Sequence, residues 1–136
     1  SVGTNDLVQY LLTTDRTSSE MTSYYEPFHP AILQVLASVV GVANAKGKSI
    51  SICGEIAGNP TCTQLLLGLG FRNLSVSPGE ILEIKNVIRS TNLTQAEEFA
   101  RGVLELDTIQ EIKARLRVAN ESSQRPTQRG QSVEEL

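Results

Sequence analysis

Cys53 stands in the stretch Ile52-Cys53-Gly54-Glu55-Ile56-Ala57-Gly58-Asn59-Pro60, behind the β-prone run Ser49-Ile50-Ser51-Ile52 and ahead of an apolar helical run from Thr61 to Leu69. This order predicts a cysteine at the carboxyl end of a strand, in a glycine-bordered loop where a small ligand can reach the backbone. Catalytic residues of α/β sheets and barrels project from that position. A second loop of the same kind, Gly3-Thr4-Asn5-Asp6-Leu7, opens the chain, and Asp15-Arg16 follows about one helical stretch later. The set holds a thiol, a carboxamide, a carboxylate and a guanidinium. Each has a plainer use: buried cysteine commonly packs as a small hydrophobe, Asn5-Asp6 can cap a helix beginning near Leu7, and Arg16 can pair with Asp15 or Glu20. The two loops together are far more specific than either alone.

The elements that must position these groups alternate strand and helix. Ser1, Val2 and Gly3 read as the tail of a strand. From His29-Pro30, with proline at the first helical position, Ile32, Leu33, Leu36, Val39, Val40 and Ala43 recur at helical spacing until Lys46-Gly47. A second strand is predicted over 49–53, a short helix over 61–69 ended by Gly70, and a third strand over 73–76. Ile81, Ile84, Val87 and Ile88 mark the next helix, with Lys85 and Arg89 suited to its negative end. Thr94 with Glu97 three residues later predicts a capping box opening a helix through Leu106. A last helix is predicted over 108–118. The composition of 120–136, rich in Ser, Gln, Arg, Gly and Glu, is that of a solvated tail. The domain reading is a body over 1–118 and a polar tail over 119–136.

Composition narrows the classes of function. The chain has 136 residues, 40% hydrophobic and 20% charged, with a net charge of −3, which suits one soluble globular domain. There is no basic excess for nucleic acid, and aromatic residues are too sparse for stacking platforms. The longest apolar runs are shorter than a membrane span and are broken by Gln34, Ser38 and Gly41. No signal peptide is visible, so the default location is cytoplasmic. Cys53 and Cys62 match no common zinc spacing, and His29 is the sole histidine. A disulfide between them is not expected in a cytosolic protein.

Residues 1–16 (SVGTNDLVQYLLTTDR), 25–33 (YEPFHPAIL), 52–59 (ICGEIAGN), 65–70 (LLLGLG) and 74–78 carry a resemblance to a known family. The chain resembles, up to about Leu116, the C-terminal phosphoenolpyruvate-binding domain of enzyme I of the sugar phosphotransferase system, and most closely its nitrogen-related variant. Pyruvate phosphate dikinases and phosphoenolpyruvate synthases share the asparagine-aspartate and cysteine loops, but Glu55-Ile56-Ala57-Gly58 favours enzyme I. The fold the resemblance implies is α/β: the last three strand-helix units of a (β/α)8 TIM-type barrel, followed by C-terminal helices. A barrel sector of this kind exposes strand edges and an apolar face. The chain is therefore expected to be a fragment or to pair with whatever supplies the rest.

The activity so implied is transfer of the phosphoryl group of phosphoenolpyruvate to a protein histidine, the remaining enolate being protonated at carbon to give pyruvate. Cys53 matches the family's acid, a role that suits a thiol because surrounding charge can tune it towards neutrality. Asp6 matches its Mg²⁺ ligand, Asn5 the residue that binds phosphate, and Arg16 the arginine that clamps the ligand with a planar fork. Glu55 reads as a structural partner and His29 as a helix-entry residue, since the family's phosphoacceptor histidine lies in another domain. Asn59 departs from the pattern, standing where enzyme I usually has aspartate. A phosphocarrier protein is the implied partner, with a homodimer as the assembly. Alone, the chain is expected to be inactive. The alternatives are a non-catalytic, self-associating module, a fragment of a dikinase or synthase, and an aldolase-like barrel, which the Cys53 loop does not fit.

Overall fold

The computed structural model describes residues 1–15 and 24–123. Its architecture is mostly helical around a small parallel sheet: β1 (Val2–Gly3), α1 (Thr4–Leu11), α2 (Pro30–Ala45), β2 (Ile52–Cys53), α3 (Glu55–Gly58), α4 (Pro60–Leu69), α5 (Ile81–Ser90), α6 (Leu93–Leu104) and α7 (Ile109–Ser123). β1 and β2 run parallel, with Val2 opposite Ile52 and Gly3 opposite Cys53. The chain returns a third time beside β2, where Ile52 bridges Leu74 in parallel. Ile52 N–H donates to the Asn73 carbonyl at 3.0 Å and Ser75 N–H to the Ile52 carbonyl at 2.8 Å.

Two expectations are corrected here. The strand predicted over 73–76 is a single bridge, and the one predicted over 49–53 contracts to Ile52–Cys53. One reason is visible at their start. The Asn73 side-chain amide donates to the Ile50 carbonyl at 3.1 Å, so a side chain takes an acceptor that a ladder would otherwise use.

α2 follows its sequence signals closely. His29 Nδ1 accepts from the Ala31 N–H at 3.2 Å, Pro30 occupies the first turn, and Ile32, Leu33, Leu36 and Val40 are buried along one face. α4 ends at Gly70, whose φ of +109° is the left-handed conformation that favours glycine, and Phe71 N–H closes back on the Leu66 carbonyl at 3.0 Å. Arg72 Nη1 donates to the Leu67 carbonyl at 2.7 Å, adding a second donor to an acceptor that the Gly70 N–H already reaches at 3.1 Å. Phe71 is fully buried, together with Leu65 and Leu66 of α4, Val103 of α6 and Ile112 of α7.

The α4–α6 crossing depends on small residues. A Cβ built on Gly68 would overlap the Ala96 carbonyl oxygen, with the Ala96 carbonyl carbon at 2.6 Å and Ala100 Cβ at 2.7 Å. The start of α6 is a further correction: Asn92, not Thr94, caps it, its side-chain oxygen accepting from Gln95 N–H at 3.1 Å. Thr94 is already the second residue of the helix, whereas the N-cap, whose side chain accepts from a first-turn N–H, is Asn92. α7 is opened by a reciprocal pair, Thr108 Oγ1 to Glu111 Oε2 at 2.6 Å and Glu111 N–H to Thr108 Oγ1 at 3.3 Å, and runs on to Ser123, past Val118. Among the described residues, no helix is long and apolar enough to cross a membrane.

Candidate functional site

The carboxyl ends of the three parallel segments meet at one cleft of about 280 Å³, lined by Asn5 after β1, Gly54 and Glu55 after β2, and Ser75, Val76, Ser77 and Glu80 after the Leu74 bridge. This is the end of a parallel sheet at which α/β folds bind ligands. A larger groove of about 530 Å³ between α4, α5 and α7 is lined by residues such as Pro60, Gln64, Glu83 and Asn120. It contains none of the residues predicted to do chemistry, so the strand-end cleft is the stronger candidate.

Thr4 begins α1 and is fully buried; its Oγ1 donates to the Cys53 carbonyl at 2.8 Å. Asn5 is half-buried, and its side-chain oxygen accepts from Glu55 N–H at 3.1 Å and from the Tyr25 hydroxyl at 3.5 Å. Between these two bonds lies Gly54, with φ +99°. A Cβ there would collide with Thr4 Oγ1 and come within 2.8 Å of Asn5 Oδ1. Glycine is thus required twice at this position, by conformation and by space.

Cys53 is half-buried, and its Sγ donates to the Val2 carbonyl at 3.5 Å, with the Ser1 hydroxyl at 3.9 Å as a donor to the sulfur. The second cysteine has a different setting. Cys62 is fully buried in α4, and burial pushes its thiol from 9.0 up to about 11 against a weaker, lowering hydrogen bond from Thr61. Both cysteines are free. On the third segment, the Glu80 carboxylate accepts from Ser77 N–H at 3.1 Å and from Ser77 Oγ at 2.9 Å. It lies so close over Gly58 that an added Cβ would meet its carboxyl carbon at 2.7 Å.

Of the described residues predicted to form a site, Asn5 lines the strand-end cleft; Cys53 ends β2 opposite Gly3 with its Sγ turned to the Val2 carbonyl, and Asp6 stands in the first turn of α1, outside the cleft lining. Arg16 lies outside the described residues. The capping role weighed for Asn5-Asp6 is corrected: both stand inside α1, whose N-cap is Gly3 with no side-chain cap bond. Asn5 instead spends its oxygen on the neighbouring loop, and Asp6 is exposed in the first turn. Among the described residues, no three His, Cys, Asp or Glu side chains group to hold a metal ion. Thr4, Tyr25 and Glu80 were not singled out from the sequence. Only Glu80 had a local signal, the Ser77-x-x-Glu80 spacing of a capping box.

Comparison with known proteins gives the context. Residues 1–93 match the family described as PEP-utilising enzyme, PEP-binding domain. The chain is 39% identical over 117 residues to the phosphoenolpyruvate-protein phosphotransferase of Cupriavidus necator, covering 86% of this chain and 20% of that protein. It is 39% identical over 112 residues to the protein of the same name from Staphylococcus carnosus, covering 82% and 20%. A Salmonella typhimurium protein named for the phosphoenolpyruvate-dependent phosphotransferase system is 38% identical over 113 residues, covering 83% and 15%. The chain therefore spans about one fifth or less of the length of these relatives.

Proposed function

From the premise that this chain belongs to the PEP-utilising enzyme, PEP-binding domain family, we propose that it forms one side of the phosphoenolpyruvate site of a phosphoenolpyruvate-protein phosphotransferase. The observation that carries this reading is the strand-end cleft, where the start of α1 and the segment 53–55 are joined by direct hydrogen bonds. The β1–β2 sheet with its Leu74 bridge is read as a sector of a (β/α)8 barrel, the remaining strands lying in the rest of such an enzyme. A phosphocarrier protein receives the phosphoryl group in this reading, and the cytoplasm is the site of action.

In the mechanism proposed, Asn5 and Arg16 hold the anionic ligand, and protein histidine takes the phosphoryl group. The enolate left behind is protonated by Cys53: the S–H bond breaks, a C–H bond forms at the methylene carbon, and the thiolate then recovers a proton from solvent. Asp6 would contribute one oxygen to Mg²⁺. A single exposed carboxylate fits this ion, which keeps several waters and is commonly shared between one or two carboxylates and substrate phosphate. When bound, Mg²⁺ would neutralise phosphate charge. By itself the chain holds too few of these donors for appreciable turnover. A homodimer is the assembly in this reading.

Cys53→Ala in the full-length enzyme tests the reading. It is expected to retain phosphoenolpyruvate binding while losing pyruvate formation and the exchange of pyruvate methyl hydrogens with labelled solvent. Unchanged turnover would return Cys53 to a packing role. Asp6→Asn, measured beside it, is expected to abolish Mg²⁺-dependent activity; activity retained by Asn would remove Asp6 from the ligand set.

A further inference from the structure

We infer that Thr4 and Asn5 are positioning residues for Cys53, holding the segment 53–55 from both sides of Gly54 and so coupling the start of α1, which carries Asp6, to the end of β2, which carries the thiol. The inference rests on the proposed role of Cys53 only for its consequence in turnover, since the grip is a property of the fold.

Three observations converge on it. Thr4 is buried without access to water, so its hydroxyl has the Cys53 carbonyl, 2.8 Å away, in place of solvent. Asn5 uses its side-chain oxygen on Glu55 N–H at 3.1 Å, where a helix-starting asparagine would ordinarily serve its own helix. Gly54 between them sits at φ +99°, with Thr4 Oγ1 and Asn5 Oδ1 filling the space where a Cβ would stand. The sheet pairs Cys53 with Gly3 and ends there, while the thiol donates to the Val2 carbonyl at 3.5 Å. Beyond that point the chain turns into α3, with the Gly54 carbonyl accepting from the Ala57 and Gly58 N–H groups, and these two side chains tie that turn, and with it the backbone that carries the thiol, to the start of α1.

The test uses the chain itself and needs no turnover. Amide hydrogen exchange at Glu55 and the rate of Cys53 alkylation by iodoacetamide are followed in Thr4→Val, Thr4→Ser, Asn5→Leu and Asn5→Asp. Loss of one hydrogen bond should speed Glu55 exchange by about tenfold in the Val and Leu variants and change the Cys53 alkylation rate severalfold, with α4 amides unaffected. Ser keeps the hydroxyl and Asp keeps an acceptor oxygen at a helix start that favours negative charge, so both should restore wild-type behaviour. Wild-type exchange and alkylation in folded Val and Leu variants would overturn the inference. So would Ser and Asp variants as perturbed as Val and Leu, because volume and not hydrogen bonding would then set the loop. If buried Thr4→Val fails to fold, the half-buried Asn5 pair decides alone. Failure of the functional reading is seen separately: full-length Cys53→Ala with normal turnover removes the acid role and leaves these exchange results standing.

Discussion

Cys53 and Cys62 belong to one strand-loop-helix unit and meet opposite surroundings. The first is half-buried at the end of β2, its sulfur facing backbone and hydroxyl groups; the second is sealed within α4, and burial keeps its thiol neutral until about pH 11. The difference extends to the regions around them. The strand-end loops are organised by individual hydrogen bonds around a glycine, whereas the α4–α6 contact is organised by the exclusion of atoms, down to a helix crossing that only Gly68 permits. A loop held by a few directional bonds can present reactive groups to a ligand. A packed crossing supplies the rigidity on which that precision depends.

The sharpest way to break this comparison is Gly68→Ala. Alanine gains roughly 1 kcal/mol of helix propensity, but its Cβ meets the Ala96 backbone, so a net loss of about 3 kcal/mol is expected in chemical denaturation. A neutral or stabilised variant would show that α6 can move away freely.

A somewhat smaller effect is expected from pH. The unfolded chain ionises Cys62 from about pH 9.0 while the folded chain keeps the proton until about pH 11, so the contribution is fully present below pH 9.0 and is lost as pH rises to 11. Wild type should therefore lose about 2–3 kcal/mol more than Cys62→Ala across that window. Parallel pH profiles in urea unfolding would contradict the burial of the thiol.

Gly54→Ala probes the other region, where a positive φ and two close oxygen atoms should cost about 2 kcal/mol and disturb Cys53 alkylation before global unfolding. Alkylation at the wild-type rate would place the constraint elsewhere. The smallest difference separates two candidate caps: Asn92→Ala should cost about 1 kcal/mol and Thr94→Ala less than about 0.5 kcal/mol, by thermal or urea unfolding. The reverse order would restore the Thr94 capping box.

Local signals proved legible where the interaction is itself local. His29-Pro30 and the spacing of Ile32, Leu33, Leu36 and Val40 marked α2, and Gly70 marked the end of α4, because caps and helical faces are set by neighbours in sequence. The third strand is shorter than its sequence implies because β structure needs a partner, and the pairing it finds beside Ile52 extends only to a bridge at Leu74. Thr94 and Asn92 offered competing caps two residues apart, and the choice between them is made where α6 begins.

By itself the sequence determined the residue types, the two glycine-bordered loops and the family that Asn5, Asp6 and Cys53 resemble, because these are properties of order along the chain. Tertiary structure alone decided that Asn5 serves the Glu55 amide and not its own helix, that Thr4 holds the Cys53 carbonyl, and that one cysteine is half-exposed while the other is sealed. The physical reason is the range of the forces involved. Hydrogen bonds across the sheet, burial and the overlap that forbids a Cβ at Gly54 or Gly68 join residues far apart in sequence, and they exist only once the strands and helices have come together.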